Sequence, residues 1–349
     1  MRVLIAPDSF GDTLTAADAA AAIAAGWSSE RDDDLILAPQ SDGGPGFVDA
    51  LAVDGGQVVE TVVAGPLEHD VTARWLLDGT TAYIEVAQTV GLHLLGCTPD
   101  VETAVGAHSR GVGQLIAEAI GRGARTVVVG LGGSSSTDGG YGMIHALGGP
   151  DAASAALRDI ELVAASDVDN PLLGPPGAAA VFGPQKGADA KTVELLEARN
   201  AEWCSELDRI AGRNVADLEG AGAAGGLGAA LLALGATRTS GADVVARRTR
   251  RHEVMPTVDL VLTGEGKFDS QSLRGKVVTA LAAAASEHRI RTIVLAGQVH
   301  LDEAEMRGAG IEAAHSVTDF AGSVELAMSD ARAQLTALSA EVARHRFSV

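Results

Sequence analysis

The chain has 349 residues and a formal net charge of −20, from 26 Lys and Arg against 46 Asp and Glu. This length buries a sizeable core without disulfides or structural metal, and at about 100–200 residues per domain it points to two domains. The acidic field repels phosphate backbones and anionic bilayers, and 3 Trp, 2 Tyr and 6 Phe offer little for base stacking, so neither a nucleic-acid nor a membrane partner is expected.

Hydrophobic residues at 46% with 21% charged exclude general disorder. Cys97 and Cys204 form neither a disulfide framework nor a zinc pair, which fits a reducing, cytoplasmic setting. The apolar start ends at Asp8, too soon for a signal segment. No stretch reaches the roughly 20 apolar residues of a membrane span.

In chain order, residues 3–6 read as a strand running into Pro7-Asp8-Ser9. Thr15 with Asp18 three residues on predicts a capped helix, ending at Gly26. Residues 35–38 form a second strand, leading into Ser41-Asp42-Gly43-Gly44. Residues 61–86, rich in Val and Thr with polar breaks, read as antiparallel or mixed strands. Residues 126–129 form a strand before a Gly- and Ser-rich loop, and 190–212 a helix. Residues 219–236 are Gly/Ala-rich and end in a small apolar helix, and the basic run 246–252 reads as a solvated helix face or loop. Residues 258–296 read as strand, loop, helix, strand. Continuous apolar strands alternating with helices predict an α/β fold with a largely parallel sheet. With no Pro/Ser-rich linker, one domain is expected to be inserted in the other: 1–62 with 255–349, and 63–254.

Ligands of open α/β sheets bind beyond the carboxyl ends of the strands, and Gly, Asp and Ser concentrate there. The Gly130–Gly140 loop offers backbone N–H groups and hydroxyls to an anion, though it lacks the Lys-Ser/Thr of a P-loop. Asp167, Asp169 and Asn170 are candidates for Mg²⁺ or a substrate hydroxyl, with an Asx turn before Pro171 as the plain alternative. Lys186, in a glycine-flanked loop, is a candidate phosphate cation. Glu265, Lys267 and Asp269 supply the charges phosphoryl transfer requires. Gly220–Gly225 matches G-x-G-x-x-G, but residues 215–219 make a poor buried strand, which argues against a dinucleotide site. The nine histidines show no zinc spacing, and no G-x-S-x-G elbow supports a hydrolase.

The segments IAPDSF (5–10), SDGGPGFVDAL (41–51), VGLGGSSSTDGGYGM (129–143), DVDNPLLG (167–174), AVFGPQKGA (180–188), GAGAAGGLGAALLAL (220–234) and LVLTGEGKFDSQSLRGK (260–276) resemble, in this order, the bacterial glycerate kinase family. The resemblance covers nearly the whole chain. It implies two α/β domains, one flavodoxin-like, with the active site in the cleft between them, and ATP-dependent, Mg²⁺-assisted phosphorylation of glycerate, the 2-hydroxyl favoured. It makes the 220–225 glycines a packing segment. By the resemblance Asp42 is the base or hydroxyl positioner, with Lys186 and Asp269 beside it in catalysis. Asp8, Ser9, Gly43, Gly44, Gly132, Gly133, Ser134, Ser135, Asp138, Asn170 and Glu265 bind substrate or phosphate, and Asp167 and Asp169 bind metal. The chain departs from the family pattern at Gly11-Asp12, where a lysine and a glycine are usual, at Pro45, where glutamate is usual, and at Lys267, where arginine is usual. These departures leave room for another small hydroxy acid as substrate, or for a ligand-binding paralogue.

Overall fold

The computed structural model describes residues 1–11, 13–270, 272–273 and 277–346. Asp12, one half of the first departure, lies outside the described residues, as do residues 271 and 274–276 of the last motif. The chain forms two compact units. The first comprises Met1–Ser41, Asp49–Asp54 and the chain from Val245, and the second Asp42–Val48 and Gly55–Val244.

The first unit holds a five-stranded sheet in the order Ala313–Ser316, Arg291–Ala296, Leu260–Thr263, Arg2–Ile5, Asp34–Leu37, every pairing parallel. Numbered along this unit, that is the flavodoxin-like order 2-1-3-4-5. Its central strands are apolar and buried because both faces are covered, whereas the edge strand Asp34–Leu37 is only half-buried. Val3 and Ile5 pack with Ile23, Trp27 and Leu335 on one side, while Leu4 and Ala6 pack with Val261, Met255 and Leu281 on the other. The helix Ala16–Glu30 starts where expected, the Thr15 hydroxyl accepting the Asp18 N–H at 3.0 Å. It does not stop at Gly26. There the helix crosses Ala331–Arg346 so closely that a Cβ on Gly26 would overlap the Thr336 carbonyl and lie 2.8 Å from Ser339 Cβ. Ser339 Oγ donates to Ile23 O at 2.7 Å across the same crossing.

The basic run is a solvated face only in part: Arg247, Arg250 and His252 are exposed, but two of its arginines turn inward. Arg251 is buried and donates to Gln40 Oε1 at 2.6 Å, and Arg248 donates to the carbonyls of Leu51 and Asp54. These two guanidinium groups find fixed oxygen acceptors, which removes their reason to face water.

The second unit holds a six-stranded sheet whose order follows the chain: Gln57–Ala64, Asp70–Asp78, Thr81–Glu85, Thr126–Gly130, Glu161–Ala165, Thr237–Thr239. The first two pairings are antiparallel and the other three parallel. Its core gathers Trp75, Ile84, Leu115, Ile116, Val127, Val129 and Leu231. The helix Ala190–Ala211 is capped by Asp189 and buries Leu196, Asn200, Cys204 and Leu207, one stripe at helical spacing. The G-x-G-x-x-G segment is packing. A Cβ on Gly222 would overlap Pro171 O, and one on Gly225 would lie 2.6 Å from Thr137 Cα. Among the described residues no helix is long and apolar enough to cross a membrane.

The Gly26 crossing yields a stability test. Gly26→Val forces side-chain atoms into the Thr336 backbone, and a loss of about 2–3 kcal/mol in urea unfolding is expected. Unchanged stability would mean the two helices do not meet at this glycine.

Candidate active site

In the second unit, Glu85, Gly130, Ala165 and Thr239 stand side by side in register as the last residues of its four parallel strands. The segment Asp42–Val48 lies against the chain at these ends. Gly43 meets the second and third strands: Gly132 N donates to Gly43 O at 3.0 Å, and a Cβ on Gly43 would stand 2.9 Å from Ala165 O. A Cβ on Gly130 would stand 2.7 Å from Gly43 O, and one on Gly241 would overlap the Asp42 carbonyl. At the first strand, Glu85 accepts the N–H groups of Gly46 and Val48. The glycines of these loops serve first to let backbone approach backbone.

This contact carries Asp42 to the end of the Glu161–Ala165 strand, beside Asp167. The exposed Asp42 carboxylate accepts Gly44 N at 3.0 Å. The Asp167 carboxyl titrates above the ordinary carboxylate value: neighbouring chain takes water from it, and the charges of Asp42 and Asp243 raise it further. The Ser240 hydroxyl and the Ala242 N–H, both at the start of the helix Gly241–Arg248, oppose that rise. Sequence reasoning missed Ser240, because the strand Thr237–Thr239 before it is too short to stand out, and weighed Asp243 only as the ribose carboxylate of the dinucleotide site it argued against.

Asp169 does not join Asp167. It is ion-paired with Arg238, which also meets Glu219 at 3.3 Å. A turn closed by Val168 N on Ser166 Oγ at 3.1 Å separates the two aspartates. Asn170 is also turned to structural use, its Nδ2 donating to Pro176 O at 2.7 Å. Among the described residues no group of three or more His, Cys, Asp or Glu has a metal-holding arrangement.

In the loop after Gly130, Gly132 and Gly133 form the accessible tip, while Ser134, Ser135 and Ser136 are buried beneath it. Ser135 does not face an anion: its N and Oγ both donate to Val90 O, at 2.7 and 2.8 Å. Asp138 does not either. Its carboxylate accepts Ser109 N and Oγ at 2.8 Å, Gly142 N at 3.0 Å and Gly140 N at 3.2 Å. Lys186, on the turn Pro184–Lys186, lies under the loop with 3% of its surface exposed. Its Nζ donates to Ser136 O at 2.6 Å and to Ser134 Oγ at 3.3 Å. Burial pulls its pKa down to about 7 against the opposing pull of Asp138.

The first unit brings its own set together at the point where its strand order reverses, between Arg2–Ile5 and Leu260–Thr263. Asp8 N donates to Gly264 O at 2.8 Å and Gly266 N to Ser9 O at 3.2 Å, which laces the two loops. Glu265 is buried in this lacing, its carbonyl accepting Gly297 N at 3.0 Å. Lys267 pairs with Asp269 at 3.3 Å.

The Glycerate kinase family profile matches residues 3–154 and 149–346, all but the ends of the chain. The chain belongs to the glycerate kinase family. It is 37% identical to the glycerate kinase of Bacillus subtilis and 35% identical to the glycerate 2-kinase of Escherichia coli, each over 98% of this chain and 97% of the relative. An uncharacterized Mycobacterium tuberculosis protein is 56% identical over 98% of this chain and 91% of its own length. A crystal structure of a Salmonella typhimurium protein assigned as glycerate kinase 2 is similar with a TM-score of 0.79 and 33% identity, over 98% of this chain and 97% of that one. The family makes this chain a small-molecule kinase, and two features of the site then read as kinase parts: a loop tip with a cation behind it, and a carboxylate pair beside it.

Lys186 gives a pH test. The unfolded chain holds this proton up to about pH 10.5 and the folded chain only to about 7, so between those values the unfolded state binds more protons and stability rises with pH. Lys186→Met removes that contribution. Urea unfolding is expected to favour the wild type over the variant by about 1.4 kcal/mol more for each unit climbed from pH 7. Parallel pH profiles would show that the lysine keeps its ordinary proton affinity.

Proposed function

We propose that this kinase transfers the γ-phosphoryl group of ATP to D-glycerate with Mg²⁺, the 2-hydroxyl preferred and 2-phosphoglycerate the product. The observation that carries the reading is the Asp42 carboxylate, exposed beside Asp167 at the strand ends where the Gly132–Gly133 tip also lies. The substrate hydroxyl oxygen attacks the γ-phosphorus, its proton passes to Asp42, the bond to the β,γ-bridging oxygen breaks, and ADP leaves. The Gly132 and Gly133 tip and the Ser134 hydroxyl receive phosphate oxygens, and Lys186 lends positive charge from behind the loop. In the first unit, Asp8, Ser9, Glu265 and Asp269 are the groups offered to substrate.

The donor set around Asp167 fits Mg²⁺, which commonly takes one or two carboxylates and completes its shell with phosphate oxygens and water. Asp167 would hold it, with Asp42 left free to take the proton, and Asp169, paired with Arg238, would not. The bound ion offsets negative charge on the phosphates. The acidic chain and its scarce aromatics fit a small, soluble substrate met in the cytoplasm rather than a polymer.

ADP release by the purified protein with Mg-ATP, with and without D-glycerate, tests the reading. Glycerate-dependent turnover is expected, and Asp42→Asn is expected to lower kcat by about 100-fold or more while thermal stability holds. ATP turnover that answers only to another hydroxy acid would redirect the substrate assignment, and Pro45 and Gly11 would be where to look for the cause. Wild-type turnover in Asp42→Asn would take the proton-accepting role from Asp42.

A further inference from the structure

We infer that Glu85 is a positioning residue of the reaction: it sets the Asp42 carboxylate by gripping the far end of the Asp42–Val48 segment. The inference rests on the reading of Asp42 above. Glu85 ends the strand Thr81–Glu85 and is 1% exposed. Its two carboxylate oxygens hold two different N–H groups, Oε1 that of Gly46 and Oε2 that of Val48, each at 3.1 Å.

A carboxylate is a poor choice for that depth unless its bonds are needed, because an ionised group loses hydration that only strong partners replace. The other strand ends meet the segment through backbone. Gly130 and Ala165 present main-chain atoms to Gly43, and past Thr239 the backbone of Gly241 lies on the Asp42 carbonyl. Glu85 is the residue of this row that reaches the segment with a side chain. Asp42 stands at one end of the segment and the Glu85 contacts at the other, with the Gly132 N bond to Gly43 O between them. The segment is therefore a short span held at three points, and releasing the Glu85 end lets the Asp42 end shift. Misplacing a reacting group by about 1 Å can cost on the order of 100-fold in rate.

Glu85→Gln tests this with little change in volume. An amide offers one acceptor and one donor, so one of the two N–H groups must face another donor. Expected are a kcat at least 10-fold lower, KM values for ATP and glycerate within about twofold, and faster amide hydrogen exchange in the peptide covering 42–48. In an Asp42→Asn background the same change is expected to cost little further, since Glu85 acts through Asp42. The core variant Ile116→Val, used as a thermal-stability control, is expected to retain kcat. Wild-type kcat in Glu85→Gln would overturn the inference, as would losses that multiply in the double variant. If the wild-type protein shows no glycerate-dependent turnover, the functional reading fails. The exchange measurement then decides the grip by itself, and unchanged exchange at 42–48 would overturn it.

Discussion

The approach of one backbone segment to four strand ends is the constraint on which the second unit's site depends. Asp42–Val48 touches chain at the ends of Thr81–Glu85, Thr126–Gly130, Glu161–Ala165 and Thr237–Thr239. A side chain on Gly43, Gly130, Gly132 or Gly241 would prevent that approach. Parallel strands deliver their loops to one edge of a sheet. Here the edge is roofed by a stretch that carries its own carboxylate, so Asp42 comes to Asp167 although 124 positions of chain separate them. The electrostatic consequence is a raised Asp167 pKa, owed first to the chain that covers this carboxyl and then to the charges of Asp42 and Asp243.

The same loop region shows how a charge can be held in reserve. Lys186 has carbonyl and hydroxyl acceptors but no carboxylate bonded to its Nζ, and Asp138, the acid that acts on it, is bonded to four donors of its own. The lysine is thus close to the balance between charged and neutral at neutral pH. An anion arriving at the loop tip shifts that balance toward the charged form, so binding strengthens the interaction that it uses. A solvent-facing lysine, charged beforehand, has no such coupling.

Much of this architecture was legible in the chain. The apolar runs before Pro7, Gly130 and Gly264 are strands buried on both faces, where unbroken Val, Ile and Leu are tolerated, and the run before Ser41 is the half-buried edge of the same sheet as the first. The Thr15 cap was legible for a local reason, a hydroxyl three residues from an acid. Gly26 and part of the arginine run were misread because their causes are not local. A glycine that admits a distant helix looks like one that ends its own, and an arginine bonded to Gln40 looks like one in water. The site divides in the same way. Motifs singled out Asp42, Asp167 and Lys186, and the fold leaves their side chains at the strand ends and under the Gly132–Gly133 tip. Ser135, Asp138, Asp169 and Asn170 carry the same chemistry in the sequence, and only the fold shows their hydrogen bonds directed to Val90, the Ser109 region, Arg238 and Pro176. Ser240 carried no motif signal at all.

Pro45 is the departure from the family pattern that the structure makes intelligible. It sits in the roofing segment between the Gly44 turn on Asp42 and the Gly46 bond to Glu85. A Cβ on Gly133 would lie 2.8 Å from its ring, so the ring packs at the loop tip. Proline fixes its own φ and narrows the freedom of the residue before it, which lowers the entropy lost when the segment is held in place. A glutamate at this position would bring charge without that rigidity. With proline the segment meets the strand ends already restricted, and the recognition of an acidic substrate rests on donors and cations elsewhere in the chain. The departure therefore stiffens the backbone that carries the Asp42 carboxylate to the strand ends.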